Sequence, residues 1–258
     1  MPLSPASDGG ARFHDQFAAV AAGYVQFRPR YPDALFEWIA REATSRERAW
    51  DCATGSGQAA IGLAAHFARV VATDASQGQL AHAIAHPRVT YRLAPADASG
   101  LDDGSVDVAT VAQALHWLPR EAFYAEARRV LRPGGLVVAW GYHLPGIGLE
   151  PVDRAIRSFH DEIVGPYWRP ERQLVVNRLR TVEFPFAEIK APEFEIRQAM
   201  SLASFGQFLR TQSAAERYRQ VRGEDPVPAF EAAVAADWGG PDQVREVRWP
   251  IFVRAGRT

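Results

Sequence analysis

Residues 48–58 read Arg48-Ala49-Trp50-Asp51-Cys52-Ala53-Thr54-Gly55-Ser56-Gly57-Gln58, which predicts a short strand, a tight turn and a helix. The strand ends at Asp51, and an acid at that point is well placed for ligand contact in an α/β sheet. Gly55 and Gly57 lack Cβ atoms, so the backbone can turn sharply and a ligand can lie against it. The helix that begins at Gln58 presents unpaired N–H groups to a carboxylate or phosphate. The turn therefore predicts a ligand-binding site.

The same glycine-rich turn fits two kinds of cofactor site. Residues 55–60 fit the dinucleotide fingerprint G-x-G-x-x-A, which predicts an NAD-dependent oxidoreductase. Residues 51–57 also resemble the first motif, D-x-G-x-G-x-G, of class I S-adenosylmethionine-dependent methyltransferases, with Ala53 in place of the first glycine. The turn alone does not separate these alternatives, so the decision rests on the residues that follow.

The composition is that of a folded soluble protein and limits the partners to expect. The 258 residues include 47% hydrophobic and 23% charged side chains, enough for one large α/β domain with an insertion or for two small domains. A net charge of −1 gives no basic surplus for nucleic acid or an anionic membrane. No apolar run approaches about 18 residues, so no membrane span is predicted, and a cytoplasmic location is the expectation.

Few residues suit disulfide or metal chemistry. The single cysteine, Cys52, lies in the first predicted strand and is expected to pack in the core. His82 and His86 have the i,i+4 spacing of a helical metal site, but no further ligands accompany them. The sequence therefore predicts neither a disulfide nor a metal site.

Strands and helices alternate from Trp50 onward, which predicts a parallel sheet covered by helices on both faces. The alternation breaks after Trp140, where apolar residues recur at helical spacing. The expected division is a disordered tail at 1–12, a cofactor-binding core with an N-terminal lid at 13–148, a mainly helical substrate cap with one strand returning to the sheet at 149–240, and the closing strand of the core at 241–258.

Two acids follow the second and third predicted strands. Asp74 lies 17 residues beyond Gly57, where a carboxylate can accept hydrogen bonds from the ribose hydroxyls of either NAD or S-adenosylmethionine. Asp97 follows the third strand, where it can accept a hydrogen bond from the 6-amino group of adenine. Asp97 favours the methyltransferase interpretation, because it has no role in the dinucleotide one.

Residues 126–135 read Glu-Ala-Arg-Arg-Val-Leu-Arg-Pro-Gly-Gly and resemble the E-x-x-R-V-L-[KR]-P-G-G hallmark of small-molecule class I methyltransferases of the type 11 group. Residues 112–117 (A-Q-A-L-H-W) and the segment Tyr24…Arg28-Pro29-x-Tyr31-Pro32 resemble a narrower set, the trans-aconitate/cantharidin methyltransferase-like branch. Residues 209–213 resemble the same branch more weakly. The chain is thus identified by resemblance as a member of the class I methyltransferases.

The resemblance implies an α/β, Rossmann-like sheet of seven strands in the order 3-2-1-4-5-7-6, with the last strand antiparallel and a helical cap above. It also implies S-adenosyl-L-methionine as the cofactor, bound across the carboxyl ends of the first strands. The cofactor-binding residues implied by position are Tyr24, Arg28, Asp51, Ala53, Gly55, Gly57, Asp74, Ala75, Asp97, Ala98, Gln113 and Ala114.

On the substrate side, the resemblance implies a small-molecule acceptor that contacts His116, Trp117, Arg210 and Ser213. His116 follows the fourth strand and is the candidate catalytic residue. It would act as a base for a hydroxyl or amine acceptor, or would only orient a carboxylate acceptor, which needs no base. A packed strand-end histidine is the alternative. The cap arginines that could bind an acid group are Arg169, Arg172, Arg210 and Arg217.

Three functions therefore stay open at this point. The first is methyl transfer from S-adenosylmethionine to a small molecule, and the second is NAD-dependent oxidation or reduction. The third is a methyltransferase-like protein that binds its ligand without turnover, which the replacement of a motif glycine by Ala53 keeps open. The oligomeric state and the atom that receives the methyl group are also left open by the sequence.

Overall fold

The computed structural model describes residues 28–240 and 242–258, which are built around one sheet of eight strands. The strands are β1 (Arg48–Cys52), β2 (Arg69–Asp74), β3 (Val89–Leu93), β4 (Val106–Ala112), β5 (Leu131–Tyr142), β6 (Ala187–Ile189), β7 (Phe194–Ser201) and β8 (Val244–Arg257). Their order is β3-β2-β1-β4-β5-β8-β6, and β7 pairs with another part of β8. The predicted tail, the first part of the lid and Tyr24 lie outside the described residues.

The predicted fold class is confirmed, with one more strand than expected. Strands β1 to β5 are parallel, and β8 is antiparallel to β5. The extra strand arises because β8 has 14 residues, so the edge that faces away from β5 is long enough to pair with two short strands. It pairs with β6 near its carboxyl end, where Ala187 faces Arg257, and with β7 near its amino end, where Ser201 faces Val244. Region 149–240 thus contains two strands instead of one, because the three residues of β6 are too few to show an alternating pattern.

The hallmark segment at residues 132–135 is a bulge inside β5. Leu131 pairs with Val106 and Leu136 pairs with Val108, so four residues face a single residue of the neighbouring strand. The two glycines make this segment look like a turn in the sequence. The strand therefore begins at Leu131, before the bulge.

The last arginine of the hallmark anchors the amino end of the sheet. Nη1 of Arg132 lies 2.5 Å from Oδ1 of Asp107, whose side chain is fully buried. Oδ2 of the same carboxylate accepts hydrogen bonds from the backbone N–H groups of Glu47 and Arg48, each at 2.9 Å. This part of the hallmark is therefore structural, and it lies at the end of the sheet opposite the predicted ligand site.

Helices cover both faces of the sheet, as predicted. They are α1 (Asp33–Glu42), α2 (Gln58–Ala64), α3 (Gln77–Leu80), α4 (Arg120–Val130), α5 (Glu150–Ser158), α6 (Arg172–Val176), α7 (Leu202–Arg210), α8 (Ser213–Arg222) and α9 (Val227–Trp238). One hydrophobic core, which includes Trp140 and Trp249, lies under α1, α2 and the cap, and the other, which includes Trp50 and Phe123, lies under α4. Within the described residues, no helix has both the length and the apolar character that crossing a lipid bilayer requires.

The cap, residues 149–240, packs through aromatic side chains and is continuous with the sheet. Phe205 of α7 contacts Phe230 of α9, with ring centroids 5.8 Å apart. Phe208 of the same helix meets Trp249 of β8 edge-on at 5.3 Å. Because α7 follows β7 without a loop, one side of the cap is held directly on the sheet.

Candidate functional site

The carboxyl ends of β1, β2 and β4 open into a cavity of about 540 Å³, which we call the strand-end cavity. Its lining includes eight of the residues predicted to bind a cofactor, namely Arg28, Ala53, Gly55, Asp74, Ala75, Asp97, Gln113 and Ala114. Asp51, Gly57 and Ala98 are not part of the lining. The position matches the usual ligand site of open α/β sheets, outside the carboxyl ends of the strands.

The loop after β1 turns through three residues with positive φ. These are Ala53 at 55°, Gly55 at 57° and Gly57 at 85°. Ala53 carries a Cβ, so the left-handed conformation costs it about 1–2 kcal/mol. A Cβ at Gly57 would lie 2.1 Å from the hydroxyl oxygen of Tyr91. Gly57 is therefore needed for close packing of the loop against β3, which corrects the expectation that it lines the cofactor site.

Asp51 supports this loop from below. Its side chain is fully buried and accepts hydrogen bonds from the hydroxyls of Thr54 at 2.5 Å and Thr110 at 2.9 Å. Burial raises the pKa of Asp51 to about 6, although both hydroxyls oppose the shift. The expectation that Asp51 belongs to the loop under the cofactor stays a prediction, and its buried carboxylate contacts that loop through the hydroxyl of Thr54.

Asp74 ties the end of β2 to the glycine loop. One carboxylate oxygen accepts a hydrogen bond from the backbone N–H of Gly55 and the other from that of Ser76, each at 2.8 Å. A carboxylate has about four acceptor positions, so Asp74 can still accept hydrogen bonds from a ligand in the cavity that it lines. The residue thus combines a structural role with a possible binding role.

The two residues predicted to flank adenine behave differently. Asp97 lines the strand-end cavity, and no hydrogen-bond or ion-pair partner of its carboxylate is found in the described part of the chain. Ala98 was expected to contact the cofactor, but it is exposed and lies outside the lining of the cavity. The acid is therefore the better candidate for a ligand contact in this turn.

The Glu-x-x-Arg half of the hallmark holds this turn in place. Glu126 accepts hydrogen bonds from the backbone N–H of Ser99 at 2.8 Å and from its hydroxyl at 2.5 Å. Arg129 donates to Glu126 at 2.8 and 2.7 Å and to the carbonyl of Leu101 at 2.8 Å. The hydrogen bonds from Arg129 lower the pKa of Glu126 to about 2. These residues fix the segment that follows Asp97 and do not themselves line either cavity.

Gln113 fixes the neighbouring ends of β4 and β5. Its φ is 53°, and its side-chain amide donates to the carbonyl of Tyr142 and accepts from the N–H of Tyr142, both at 3.1 Å. The amide thereby extends the pairing of the two strands beyond their last backbone pair. Gly141 has to be glycine here, because a Cβ would lie 2.3 Å from Oε1 of Gln113.

A second cavity, of about 320 Å³, lies between this strand end and the cap, and we call it the cap cavity. Both cavities are lined by Arg28, Gln113, Trp117 and Tyr142, which we call the shared wall. Nη1 of Arg28 donates to the hydroxyl of Tyr142 at 3.1 Å, and Nη2 donates to the carbonyl of Thr211 at 3.0 Å. The shared wall therefore connects the sheet, through Tyr142, to the cap.

The cap cavity contains three of the four predicted substrate residues, His116, Trp117 and Ser213. Arg210 is not among its lining residues, and that expectation is corrected. Its Nε lies 2.6 Å from Asp225 and its Nη1 lies 3.2 Å from Glu231, so its charge is neutralised inside the cap. The other lining residues are Tyr167, Trp168 and Phe208, the basic His143, Arg169, Arg172 and Arg217, and the polar Thr211, Gln212, Glu216 and Gln220.

The two histidines of the cap cavity are neutral at neutral pH. Burial lowers the pKa of His116 to about 3, and the positive charges of Arg172 and Arg120 add to the shift. The pKa of His143 is lowered to about 3 by burial and again by Arg172. A neutral imidazole donates one hydrogen bond and accepts another, but with such a low pKa it removes protons poorly.

Several lining residues were missed by the sequence analysis. Tyr142 and His143 follow the fifth strand, so the strand-end rule that selected Asp74 would have found them had the strand been extended past Trp140. Trp168 lies in a segment without a motif, and no sequence signal selects it. Gln212 lies within residues 209–213, where the resemblance pointed to its neighbours Arg210 and Ser213 instead. Across residues 28–240 and 242–258, no group of three or more His, Cys, Asp or Glu is arranged to hold a metal ion.

Comparisons with known proteins agree with this geometry. Residues 50–139 match the family described as a methyltransferase domain. A candidate methyltransferase of Dictyostelium discoideum is 29% identical over 94% of this chain and 94% of that protein. An uncharacterized methyltransferase of Mycobacterium bovis is 31% identical over 69% of each chain. A solved structure of a candidate type II methyltransferase from Anaeromyxobacter dehalogenans is 44% identical, with a TM-score of 0.84 over 90% of this chain and 98% of its own.

These similarities reach beyond the glycine loop to the sheet and the cap. The matched domain spans β1 to most of β5, where the strand-end cavity lies. The Anaeromyxobacter structure also matches most of the cap, because it covers nine-tenths of this chain. The chain therefore belongs to the class I S-adenosylmethionine-dependent methyltransferase family.

Proposed function

We propose that this protein transfers a methyl group from S-adenosyl-L-methionine to a small-molecule acceptor through a carboxylate or hydroxyl group of that acceptor. The observation that carries the proposal is the shared wall, at which a 540 Å³ cavity and a 320 Å³ cavity adjoin. Group transfer between two ligands requires that the reacting atoms be held in contact and in line. Two cavities that share Gln113, Trp117 and Tyr142 meet this requirement.

The strand-end cavity suits the cofactor by the chemistry of its lining. Asp74 retains acceptor positions for ribose hydroxyls, and Asp97 offers a carboxylate to the adenine amino group. The backbone at Gly55 permits close approach of the ligand, and Arg28 offers a guanidinium to the cofactor's carboxylate. When bound, the cofactor supplies a methyl group on a positively charged sulfonium, which is already activated for displacement.

The contribution of the protein is mainly alignment and exclusion of water. Tyr142 and Trp117 wall the place where the two cavities meet, and Arg28 holds the hydroxyl of Tyr142 in position. A carboxylate acceptor is ionised at neutral pH and needs no base. Because the pKa of His116 is lowered to about 3, we propose that this residue orients a carboxylate acceptor through a hydrogen bond, and that the proton of a hydroxyl acceptor passes to solvent water as the methyl group is transferred.

The narrower expectations from the sequence stay predictions. These are membership of the trans-aconitate/cantharidin branch, a cytoplasmic location, and the lack of nucleic-acid and membrane partners. The size of the cap cavity supports a small-molecule acceptor, because about 320 Å³ is at the lower end of the volumes of small-molecule sites.

The proposal is tested first by calorimetry with S-adenosylmethionine, S-adenosylhomocysteine and NAD. We expect the first two to bind and NAD not to bind, with weaker binding in Asp74→Ala and unchanged binding in Asp102→Ala, a variant at an exposed turn. The second test follows S-adenosylhomocysteine formation with a panel of small acids and alcohols. Preferential binding of NAD would instead favour the oxidoreductase, and cofactor binding without turnover on any acceptor would favour a binding protein.

A further inference from the structure

Basic side chains outnumber acidic ones among the described residues that line the cap cavity. Four arginines line it, namely Arg28, Arg169, Arg172 and Arg217, against a single acid, Glu216. Glu216 is ion-paired with Arg219 and accepts a hydrogen bond from Gln220 at 3.0 Å, so its charge is engaged within α8. Among the described residues that line the cavity, cationic side chains therefore outnumber acidic ones.

Arg172 is a lining arginine that has no acid beside it in the described residues. Its guanidinium lies over the ring of Trp168, 4.5 Å from the centroid, and its Nη2 is 3.5 Å from Nε2 of His160. Neither neighbour is an acid, and no carboxylate in the described part of the chain lies within ion-pair distance of Arg172. Its Nε is buried and has no hydrogen-bond partner there. By contrast, Arg210 lies in the same cap and has two acids beside it.

Like Nε of Arg172, other polar atoms in the lining of this cavity are buried without a hydrogen-bond partner in the described part of the chain. Nδ1 of His143 and Oε1 of Gln212 are buried and make no hydrogen bond within the described residues. Buried polar atoms in native proteins are almost always hydrogen-bonded to protein, water or ligand, because each unpaired group costs about 1–3 kcal/mol. Three such atoms lining one cavity indicate that a polar ligand completes their hydrogen bonding.

We propose that Arg172 anchors an acid-binding subsite of the cap cavity and that the methyl acceptor carries a carboxylate or another oxyanion group bound there. The proposal rests on the proposed function, because it names the class of molecule that the second cavity takes. The guanidinium edge with the unpaired Nε can donate two parallel hydrogen bonds to one oxyanion. The rings of Trp117, Trp168 and Phe208 then offer apolar surface to the body of the acceptor.

The electrostatics of the surrounding groups support this subsite. Burial and the nearby charge of Arg28 lower the pKa of Arg172 only to about 10, so Arg172 stays a cation throughout the physiological range. His116 and His143, with pKa values lowered to about 3, remain neutral and do not compete with Arg172 for the anion. The anion is therefore held by a charge that does not titrate near neutral pH.

The experiment measures binding of three aromatic probes to protein saturated with S-adenosylhomocysteine. The probes are trans-cinnamate, its neutral amide cinnamamide, and phenyl phosphate, which separates carboxylate from phosphate recognition. We expect one of the two anions to bind more tightly than the amide. Arg172→Gln should weaken that anion about 10- to 100-fold and leave the amide nearly unchanged. Arg172→Lys should give an intermediate affinity, and Arg180→Gln, at an exposed arginine of the same segment, should match the native protein.

The pH dependence of anion binding provides a second measurement, which would not change if the role of Arg172 were only structural. Binding of trans-cinnamate by Arg172 should be constant from about pH 6 to pH 8.5, because neither the carboxylate nor Arg172 titrates there. A loss of affinity centred near the ordinary histidine pKa would overturn the proposal and assign the anion to a protonated histidine. Equal affinities for acid and amide, or no effect of Arg172→Gln on a folded protein, would also overturn it. These failures are distinct from failure of the proposed function, which would appear as absent cofactor binding.

Discussion

The two cavities differ in how their polar groups are satisfied. Around the strand-end cavity, Asp51, Asp74 and Gln113 are hydrogen-bonded to threonine hydroxyls or backbone groups of the chain itself. Around the cap cavity, Arg172 and His143 keep buried nitrogen atoms without a partner in the described residues. These three groups of the first site are therefore paired before a ligand binds, although the carboxylate of Asp97 is not, whereas the second site is completed by its ligand.

This difference has a physical reason in the requirements of each ligand. A cofactor site can be built from backbone turns and strand ends, because local hydrogen bonds then hold it in shape. An acceptor site has to recognise one particular molecule, so its polar groups must be free to bind that molecule. Loss of a residue should therefore damage the fold on the cofactor side and mainly alter recognition on the acceptor side.

The largest expected effect follows from breaking the strand-end site at Gly57. In Gly57→Ala the new Cβ meets the hydroxyl of Tyr91 and the residue is held at a φ of 85°. We expect the free energy of unfolding to fall by about 2–4 kcal/mol, from left-handed strain and overpacking together, and cofactor affinity to fall with it. Urea unfolding and calorimetry measure both.

A matched control exists at Gly104, which has a φ of 56° and open space around its Cβ position. Gly104→Ala should show only the backbone strain, about 1–2 kcal/mol, and normal cofactor affinity. Equal losses in the two variants would show that close packing against Tyr91 is unimportant.

The buried histidines of the cap cavity should appear in the pH dependence of stability. The pKa values of both histidines are lowered to about 3 in the folded protein. Below about pH 6.5 these imidazoles are therefore protonated in the unfolded chain but stay neutral in the folded chain. Stability is therefore lost as the pH falls. Between pH 7 and pH 5, we expect His116→Gln/His143→Gln to lose about 4 kcal/mol less than the native protein, about 2 kcal/mol for each histidine.

Urea unfolding at the two pH values measures this difference, with His82→Gln as the control at an exposed histidine. Asp51, whose pKa is raised to about 6, has the opposite effect, because the stability that it contributes falls as the pH rises from about 4 to 6. Asp51 is present in both proteins, so its contribution cancels. An identical pH dependence in the native protein and the double variant would contradict burial of the neutral imidazoles.

Two acids sharpen the comparison within the strand-end site. Asp74→Ala removes acceptors of the Gly55 and Ser76 N–H groups, so it should lower both the melting temperature and cofactor affinity, the latter by about 1–3 kcal/mol. Asp97→Ala should weaken cofactor binding by about 1 kcal/mol. It should leave the melting temperature unchanged, because the carboxylate of Asp97 makes no hydrogen bond or ion pair within the described residues. Calorimetry and thermal unfolding of both variants check this, and a destabilised Asp97→Ala would reveal a structural role for that acid.

The smallest effect is expected at Ala53, which stands where the family motif has glycine. Ala53→Gly relieves a φ of 55° but makes the unfolded chain more flexible, so we expect a net stabilisation of at most about 1 kcal/mol. Ala98→Gly is the control, because Ala98 has no positive φ and gains nothing from the change. Denaturant unfolding compares the two, and a loss of stability in both would show that Ala53 is unstrained.

The sequence predicted those parts of the molecule that depend on local patterns. The valine- and alanine-rich β4, the glycine loop and the strand-end acids Asp74 and Asp97 are readable because neighbouring residues determine their conformation. The bulge at 132–135 was misread as a turn, since two glycines permit either conformation. Strand β6 has only three residues, which are too few to show the alternation of apolar and polar side chains that predicts a strand.

Contacts between distant residues could not be predicted in this way. Arg210 was expected to meet substrate, but its partners Asp225 and Glu231 lie 15 and 21 residues further along the chain. Arg172 was expected, like Arg210, to be able to bind an acid group, but only the folded cap shows that it lines the cavity without an acid beside it in the described residues. Charge on a helix is visible in a sequence, whereas its neutralisation depends on tertiary packing.

Strand β8 also determines how the cap cavity can open. Tyr142 ends β5 and Phe208 lies on α7, directly after β7, and both of these strands are hydrogen-bonded to β8. The cap therefore cannot swing away from the sheet as a rigid lid without breaking strand pairs. The segments 167–172 and 211–220 both contribute lining residues and belong to no strand, so they can move without breaking strand pairs. We expect capture of the acceptor and release of the product to depend on microsecond-to-millisecond motion of these two segments.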